Sequence, residues 1–281
     1  MNGQAPVQGL HSTRGILHAQ EGLSRFELRR RLPSPALAGL VSHHWIASWD
    51  LRGLPPHTQR LLPYPCVNLT FQAERSQVAG VLRTPHDQLL ADAGRVLGVM
   101  FRPGGFRPLM GRSVATITDR FLPLGEVFGT EGAEADAAVL AAPDDDGLVT
   151  AAEEFLTRLV VRARRRDASS LSTAERVAGI VDLVAADPTI LRVDQLAARL
   201  GLGVRALQRL CAEYAGVGPK WVIRRYRLHE AVERAGEDRD PDWVRLAADL
   251  GYSDQAHLVR DFTAATGQSP SRYARATRLR N

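Results

Sequence analysis

Cysteine is almost absent from this sequence, with only Cys66 and Cys211 among 281 residues. Two cysteines in different predicted domains exclude both a disulfide framework and a zinc site built from cysteine thiolates. Long apolar runs are also lacking, because no run approaches the roughly 18 residues of a membrane span. The stretch 1–20 has no signal-peptide pattern. We therefore expect a cytoplasmic protein that does not enter a membrane.

Sequence motifs of catalysis are lacking as well. The chain has no nucleophile elbow, no phosphate-binding loop, no His-Glu-x-x-His and no dinucleotide fingerprint. Histidines are numerous in the N-terminal part, but their spacing fits no standard set of metal ligands. We predict a protein that is not an enzyme and has no metal or cofactor, and we expect ordinary surface and core roles for these histidines: His11, His18, His43, His44, His57 and His86.

One short pattern occurs twice in the C-terminal part. The first copy runs from Leu196 through Gly203, and the second runs from Leu246 through Ser253. After one inserted residue the copies stay in register, so that Arg209 matches Arg260. Chance similarity seldom keeps its register on both sides of an insertion, and the repeat indicates a duplicated supersecondary unit.

Each copy has the pattern of a helix-turn-helix. Apolar residues at helical spacing end at a glycine, which adopts the left-handed conformation of a helix stop without a Cβ clash. A second helix then begins, with Ser253 or Asp254 as its N-cap in the second copy. Each copy ends in Gly-x-x-Pro, which places Pro219 and Pro270 near the first turn of a further helix. The sequence thus predicts two such units joined by a linker helix over about 219–235.

Several further segments of the C-terminal hundred residues carry a family resemblance: Gln208-Arg209-Leu210, Gly216-Val217-Gly218-Pro219, Arg227-Leu228, Leu246-Ala247, Gly251-Tyr252-Ser253-Asp254-Gln255, His257-Leu258, Arg260, Phe262, Thr266-Gly267 and Ser269-Pro270. With these segments, the region resembles the DNA-binding region of the AraC/XylS family of bacterial transcription regulators. Gly203 departs from the family pattern, which has a capping serine there.

The charge of the chain agrees with an acidic partner. The net charge is +5, and basic clusters on one part of a domain are typical of nucleic-acid binding. The arginines that we expect on or beside the second helices of the two units are Arg205, Arg209, Arg224, Arg225, Arg227, Arg260, Arg272, Arg275 and Arg278.

We expect the second helix of each unit to enter the major groove of DNA, where base edges carry a distinctive donor and acceptor pattern. Arginine bonds bidentately to guanine, and glutamine bonds to adenine. Contact with phosphate is the alternative for Arg209 and Arg260. For His257 we expect packing or phosphate contact rather than contact with a base. Two helices about one DNA turn (~34 Å) apart would contact successive groove segments. The predicted contact residues are Arg205, Gln208, Arg209, Gln255, Ala256, His257 and Arg260.

The N-terminal part predicts several short strands with Gly and Pro between them. Such strands form a small sheet or barrel, which commonly encloses a cavity. A helix is predicted over 34–43, and the fold class is α+β: a small β-sheet or barrel domain with helices, then an all-α domain with two helix-turn-helix motifs. The predicted strands are 26–31, 45–51, 61–62, 67–71, 78–82 and 95–102.

The segments 45–51, 62–69 and 98–105 resemble the N-terminal domain of a subset of AraC-type regulators. That resemblance implies a sensory or dimerising role and names no ligand. A pocket for a small-molecule effector is one interpretation of the aromatic residues there, and a ligand-free aromatic core is the other. The residues concerned are Trp45, Trp49, Tyr64, Phe71 and Phe101.

The predicted organisation is a loose N-terminus over 1–24, an effector-binding or dimerisation domain over 25–166, a linker over 167–172 and a DNA-binding domain over 173–281. Ser172 and Glu175 form the predicted capping box of the first DNA-domain helix. We predict a transcription regulator that binds double-stranded DNA and a small-molecule effector, contacts RNA polymerase and forms a homodimer through the helix at 148–166. The alternative is a small-molecule-binding protein whose helix-turn-helix pair docks another protein.

Overall fold

Two antiparallel sheets form the N-terminal half of the computed structural model, which describes residues 12–73, 75–237 and 241–278. The strands are β1 (Glu27–Arg31), β2 (Val41–Asp50), β3 (His57–Leu61), β4 (Asn68–Phe71), β5 (Gln77–Ala79), β6 (His86–Leu90), β7 (Ala93–Phe101) and β8 (Phe121–Pro123). Six of them form one sheet in the order β1-β2-β7-β4-β5-β8, and β3 pairs with β6 in a second sheet.

The larger sheet is covered on one face by helices and lined on the other by a cavity. Side chains alternate between the two faces of a strand, so Leu69 and Phe71 of β4 lie in the hydrophobic core, while Asn68 and Thr70 line the cavity. The smaller sheet contributes Gln59 and other residues to the opposite cavity wall. The alternation of side chains along each strand therefore determines which residues line the cavity and can contact a ligand.

Helices make up most of the remaining chain, which confirms the predicted α+β class. The N-terminal half contains α1 (Ala19–Leu23), α2 (Arg107–Met110), a 3-10 helix (Val114–Ile117), α3 (Leu124–Phe128), α4 (Thr130–Leu140) and α5 (Asp145–Arg166). The C-terminal half contains α6 (Ala168–Ala186), α7 (Val193–Arg199), α8 (Val204–Ala215), α9 (Pro219–Glu237), α10 (Trp243–Asp249), α11 (Gln255–Thr266) and α12 (Pro270–Arg278).

The helix predicted over 34–43 is wrong. Two overlapping turns occupy this stretch, with Leu37 N–H bonded to Ser34 O and Val41 N–H bonded to Leu37 O, and β2 already begins at Val41. Leu37, Leu40 and Val41 are buried. Their spacing resembles that of a helix, but the branched and aromatic run that follows pairs with β7 over its whole length.

Two predicted boundaries also differ from the structure. The expected loose N-terminus covers 1–24, of which 1–11 lie outside the described residues; beyond them, Leu17 is buried and α1 is formed. The expected linker over 167–172 is helical from Ala168. Asp167 is the N-cap of α6 and accepts bonds from the backbone N–H groups of Ser169 and Ser170, so the predicted cap at Ser172 is wrong.

The hydrophobic core continues across the junction between the two halves. One cluster joins the sheet residues Leu69 and Val99 to Leu207 of α8. A second, smaller cluster joins Leu17 and Leu62 to Leu258 of α11 and its neighbours. The first helix-turn-helix unit thus shares the main core with the sheet, whereas the second unit has a core largely of its own.

No helix in the described parts of the chain combines the length and hydrophobicity that a membrane crossing requires.

Candidate nucleic-acid interface and cavity

The two helix-turn-helix units have the same turn down to individual hydrogen bonds. In the first, Leu202 N–H bonds to Ala197 O at 2.9 Å. In the second, Tyr252 N–H bonds to Ala247 O at 2.9 Å. Both turns pass through a glycine with positive φ, 62° at Gly201 and 73° at Gly251. This is the Schellman arrangement, which closes a helix at a left-handed residue, and it agrees with the predicted duplication.

The N-caps of the second helices distinguish the two units. In α8 the N-cap is Gly203, which offers no side-chain bond. In α11 the N-cap is Asp254, whose carboxylate accepts from His257 N–H at 2.7 Å. That bond is the first cause that lowers the pKa of Asp254 below its usual value. Pro219 and Pro270 begin α9 and α12, as predicted.

The outer faces of α8 and α11 are open to solvent. Each helix buries a narrow apolar stripe, Leu207 with Cys211 in α8 and Leu258 with Phe262 in α11. Six of the seven predicted contact residues are exposed, namely Arg205, Gln208, Arg209, Gln255, Ala256 and Arg260, and His257 is half-buried. No part of the described chain covers these faces.

His257 has contacts within its own unit. Its Nδ1 lies 3.2 Å from Ser253 Oγ, and its ring packs edge-on against Tyr252 with centroids 5.0 Å apart. These contacts favour the packing role over base contact for this histidine.

Several exposed arginines on these faces form no ion pair with any residue in the described part of the chain. Elsewhere in the chain most arginines are paired, as Arg192 is with Asp194 and Arg199 is with Asp187. Among the described residues, no ion-pair partner is found for Arg205 and Arg209 of α8, or for Arg245 and Arg260 of the second unit. Guanidinium groups without a partner are available to an external anion. Arg245, on the outer side of α10, was not predicted, because its exposure depends on the packing of that helix.

Two of the arginines expected on or beside the interface are buried and have structural roles instead. Arg224 is exposed and bonds to Asp261 of α11 at 2.5 Å. Arg225 bonds to the carbonyl oxygen of Arg83, and Arg227 bonds to that of Val184. Burial lowers the pKa of Arg225 to about 10. Sequence spacing placed these arginines correctly on the linker helix but did not indicate which side of it is buried. The side chain of Arg278 lies outside the described residues.

The first unit is docked on the N-terminal half through the end of α8. Thr118 donates from Oγ1 to Gly216 O at 2.7 Å. The guanidinium of Arg107 bonds to Glu213 at 2.9 Å and to Ser170 at 2.9 Å. Glu213 and Gly216 lie at the C-terminal end of α8, away from Arg205 and the start of the helix, and Ser170 belongs to α6.

The second unit is docked through α9 and the N-terminal segment. Arg14 donates from Nε and Nη2 to both carboxylate oxygens of Glu233. The ring of Tyr64 stacks on His229, with centroids 3.9 Å apart. Burial, as the first cause, lowers the pKa of His229 to about 3. The ring is thus neutral, and its Nε2 donates to the carbonyl oxygen of Pro63 at 3.3 Å.

A cavity of about 250 Å³ lies between the two sheets. Of the predicted effector residues, Trp45, Trp49 and Tyr64 line it. Phe71 and Phe101 do not, and their assignment to the pocket is wrong. Both are almost completely buried in the core beneath the opposite face of the sheet, because the period of two directs them away from the cavity.

Two glycines bring the tryptophans flat against the sheet. A Cβ atom on Gly98 would lie 1.9 Å from Cε2 of Trp45, and a Cβ atom on Gly94 would lie 2.3 Å from Cζ2 of Trp49. These glycines stand opposite the tryptophans in the pairing of β2 with β7. Each indole therefore covers the backbone of the neighbouring strand, and together they give the cavity a flat aromatic wall.

Two protein families match separate parts of the chain. Residues 196–276 match the family described as a helix-turn-helix domain, and residues 29–123 match a domain of unknown function (DUF6597). The C-terminal region is thus an AraC-type helix-turn-helix domain, as the sequence resemblance indicated. That domain supports the function of a DNA-binding transcription regulator.

Solved structures of ToxT from Vibrio cholerae overlap with much of the chain at low similarity. ToxT from strain O395 has a TM-score of 0.38 and 11% identity, covering 78% of this chain and 96% of that chain. An apo ToxT variant from strain SCE256 has a TM-score of 0.37 and 13% identity, covering 82% of this chain and 96% of that chain. Wild-type ToxT from strain SCE256 bound to an unsaturated fatty acid has a TM-score of 0.32 and 12% identity, covering 77% of this chain and 86% of that chain. Overlap this low says nothing about what the chain binds. No curated protein is significantly similar to the sequence.

Proposed function

We propose that this protein regulates transcription by placing α8 and α11 in two successive major-groove segments of one DNA duplex. The observation that supports this most is the pair Arg209 and Arg260. They occupy matched positions of a duplicated unit, both are exposed, and neither has an ion-pair partner among the described residues. Arginine at such a position is the commonest specific contact with guanine.

The other predicted contacts follow from the same two helices. Gln208 lies beside Arg209 on α8, and Gln255 begins α11; both are exposed. An amide at such a position pairs with adenine. Arg205 and Arg245 suit phosphate contacts that fix the register of the protein on the duplex. We assign residues 173–281 to DNA binding and 25–166 to control of that binding.

We also propose that the cavity between the sheets binds a small-molecule effector. Two tryptophans and Tyr64 line it, and Tyr64 stacks directly on His229 of α9, the helix that joins the two units. A ligand against Tyr64 would thereby act on the spacing of α8 and α11. Contact with RNA polymerase and dimerisation through the exposed side of α5 complete the proposal.

Gel-shift and footprinting measurements with the full chain test DNA binding. DNA from upstream of the protein's own gene is the first probe. We expect protection of two segments about one helical turn (~34 Å) apart and affinity that falls steeply with salt.

The variant carrying both Arg209→Ala and Arg260→Ala should lose specific binding. Arg192→Ala, which removes an exposed arginine paired with Asp194, is the matched control. Specific binding that survives the double substitution contradicts the proposed interface, and absence of salt-dependent binding points to protein docking instead.

A further inference from the structure

One side of α11 differs chemically from the matched side of α8. His257 and Asp261 lie one turn apart on this side of α11, and the residues at the matched positions of α8 are Ala206 and Leu210. All four residues are half-buried. The first unit thus has apolar groups at the place where the second unit has an imidazole and a carboxylate.

The carboxylate of Asp261 links this side of α11 to the linker helix α9. Arg224 of α9 donates from Nη2 to Oδ2 of Asp261 at 2.5 Å, and Nε2 of His257 lies 3.9 Å from the same oxygen. The other ring nitrogen of His257, Nδ1, lies 3.2 Å from Oγ of Ser253. Asp261 therefore connects the linker helix to the first turn of α11.

The ion pair between Arg224 and Asp261 is not required for the fold of a helix-turn-helix unit. The first unit has Leu210 at the matched position, and it forms the same turn and a second helix of the same length, 12 residues. The Arg224 side chain is 50% exposed, and exposed ion pairs contribute little to stability. A role at the outer surface explains the pair better than a role in folding.

Arg224 lies at the edge of the face of α11 that we propose for DNA contact. Asp261 follows the exposed Arg260, and neighbouring residues in a helix are rotated by about 100°. Asp261 therefore points to the side, between the outer face and the buried stripe of Leu258 and Phe262. A guanidinium held at the side of a helix in the major groove is placed for the phosphates that border the groove, not for base edges.

The Arg224 guanidinium has donors left for such a phosphate. A guanidinium carries five N–H donors, and Asp261 accepts a bond from Nη2. The Arg224 side chain has no other hydrogen-bond partner in the described part of the chain. A carboxylate that holds one end of the guanidinium restricts its rotamers in advance, so less conformational entropy is lost when the phosphate binds.

We propose that Asp261 is a positioning residue, which holds the Arg224 guanidinium at the edge of α11 for contact with a DNA phosphate bordering the second groove segment. At the matched position of the first unit, the side chain of Leu210 has no acceptor for such a bond. The inference rests on the proposed function, and it adds a backbone contact that is specific to the second unit.

Binding of the full chain to the DNA segment found by footprinting, measured over a series of salt concentrations, tests the phosphate contact. Each neutralised phosphate contributes about 0.9 to the slope of log affinity against log salt. Arg224→Ala should lower that slope by about one, equally on all DNA sequences, and weaken binding about tenfold. Arg52→Ala, which removes an exposed arginine held by Asp50 at 2.5 Å, is the matched control and should change neither.

A double-mutant cycle tests the role of Asp261. Asp261→Leu introduces the side chain of the first unit and should reproduce part of the loss seen in Arg224→Ala, because the guanidinium is no longer held. Asp261→Glu should restore some of that loss, since the carboxylate remains. The variant with both Arg224→Ala and Asp261→Leu should bind no more weakly than Arg224→Ala alone, because Asp261 acts through Arg224.

Neutral phosphates in the DNA locate the contact. Phosphates are replaced one at a time by methylphosphonate, which has no charge. We expect one position beside the α11 segment where the replacement weakens binding of the unaltered protein but not of Arg224→Ala. Circular dichroism of each variant, expected to match the unaltered protein, shows that the fold is kept. Asp261→Asn, which keeps the shape of the side chain, takes the place of Asp261→Leu if the leucine disturbs the fold.

Three results would overturn the proposal: an unchanged salt slope in Arg224→Ala, tighter DNA binding by Asp261→Leu, or losses from the two substitutions that add in the double variant. Tighter binding would mean that the carboxylate competes with DNA for the guanidinium. Any of these results together with salt-dependent specific binding by the unaltered protein refutes only this inference. Absence of such binding by the unaltered protein would refute the proposed function itself.

Discussion

The two helix-turn-helix units are nearly the same in local structure and differ in their attachment to the rest of the molecule. The turn hydrogen bonds and the positive-φ glycines recur in both copies. The first unit shares the main core with the sheet, whereas the second has a smaller core closed by Leu17 and Leu62. The local structure of the unit thus recurs in both copies, while the surroundings of the copies differ.

That difference means that equal substitutions should have unequal consequences. A destabilising substitution in the first unit should lower the stability of the whole molecule. The same substitution in the second unit should destabilise mainly that unit. The following predictions test this expectation, beginning with the largest effect.

Truncation of the matched core leucines should have the largest effect. Leu207 and Leu258 are both fully buried, and Leu→Ala at such a site costs about 2 to 5 kcal/mol of unfolding free energy. We expect Leu207→Ala to destabilise the entire chain, because its cluster includes the sheet. Leu258→Ala should chiefly increase hydrogen exchange in α10 to α12. Urea denaturation followed by circular dichroism, together with native-state hydrogen exchange, distinguishes the two. A uniform increase in hydrogen exchange across the molecule in both variants would contradict the expected difference between the two units.

The matched arginines should each specify a different part of the DNA site. Arg209→Ala and Arg260→Ala are each expected to cost about 1 to 3 kcal/mol of discrimination at one subsite, the first affecting one groove segment and the second the other. Binding of a panel of single-base variants of the protected DNA measures this. Equal weakening on every sequence, with a salt slope reduced by about one, would mean that the residue contacts phosphate.

The matched C-cap glycines should differ in their tolerance of a methyl group. Gly216 and Gly267 have φ values of 74° and 78°, and alanine there costs about 1 to 2 kcal/mol for the left-handed backbone alone. At Gly216 the added Cβ would also lie 2.9 Å from Val114 Cγ1, whereas at Gly267 the nearest atom is the flexible end of Arg60. Thermal melts should show a larger loss for Gly216→Ala. The opposite order would mean that the first unit is not held against the 3-10 helix.

The N-caps should give the smallest effect, and one that depends on pH. Gly203→Ser should stabilise α8 by a few tenths of a kcal/mol, whereas Asp254→Ala should lower the melting temperature. The pKa of Asp254 is lowered in the folded chain, first by the bond from His257 N–H. Its contribution should therefore be complete above the ordinary aspartate pKa of about 4 and be lost as the pH falls through the lowered value. Melting temperatures of Asp254→Ala and the unaltered chain should converge in acid. A difference that persists there would show that the carboxylate charge is not responsible.

Sequence reasoning located the helix-turn-helix elements more accurately than the cavity between the sheets. The stop at Gly201, the starts at Pro219 and Pro270 and the buried face of Leu207 depend on neighbours within a turn or two, and all agree with the structure. The smaller sheet was largely missed, because its polar strands have no apolar alternation and exist only through the pairing of β3 with β6. Phe71 and Phe101 were misplaced because aromatic character alone does not show which face of a strand a residue occupies.

Local physical chemistry in the chain was sufficient to determine the duplicated helix-turn-helix, since helix stops, caps and apolar stripes are properties of adjacent residues. Only the tertiary structure decided which arginines are exposed, as Arg205 is, and which are buried, as Arg227 is. It also decided that Arg30 faces a cavity while Arg29 and Arg31 face carboxylates. These surroundings depend on contacts with residues far apart in sequence, and no pattern within a single strand or helix predicts them.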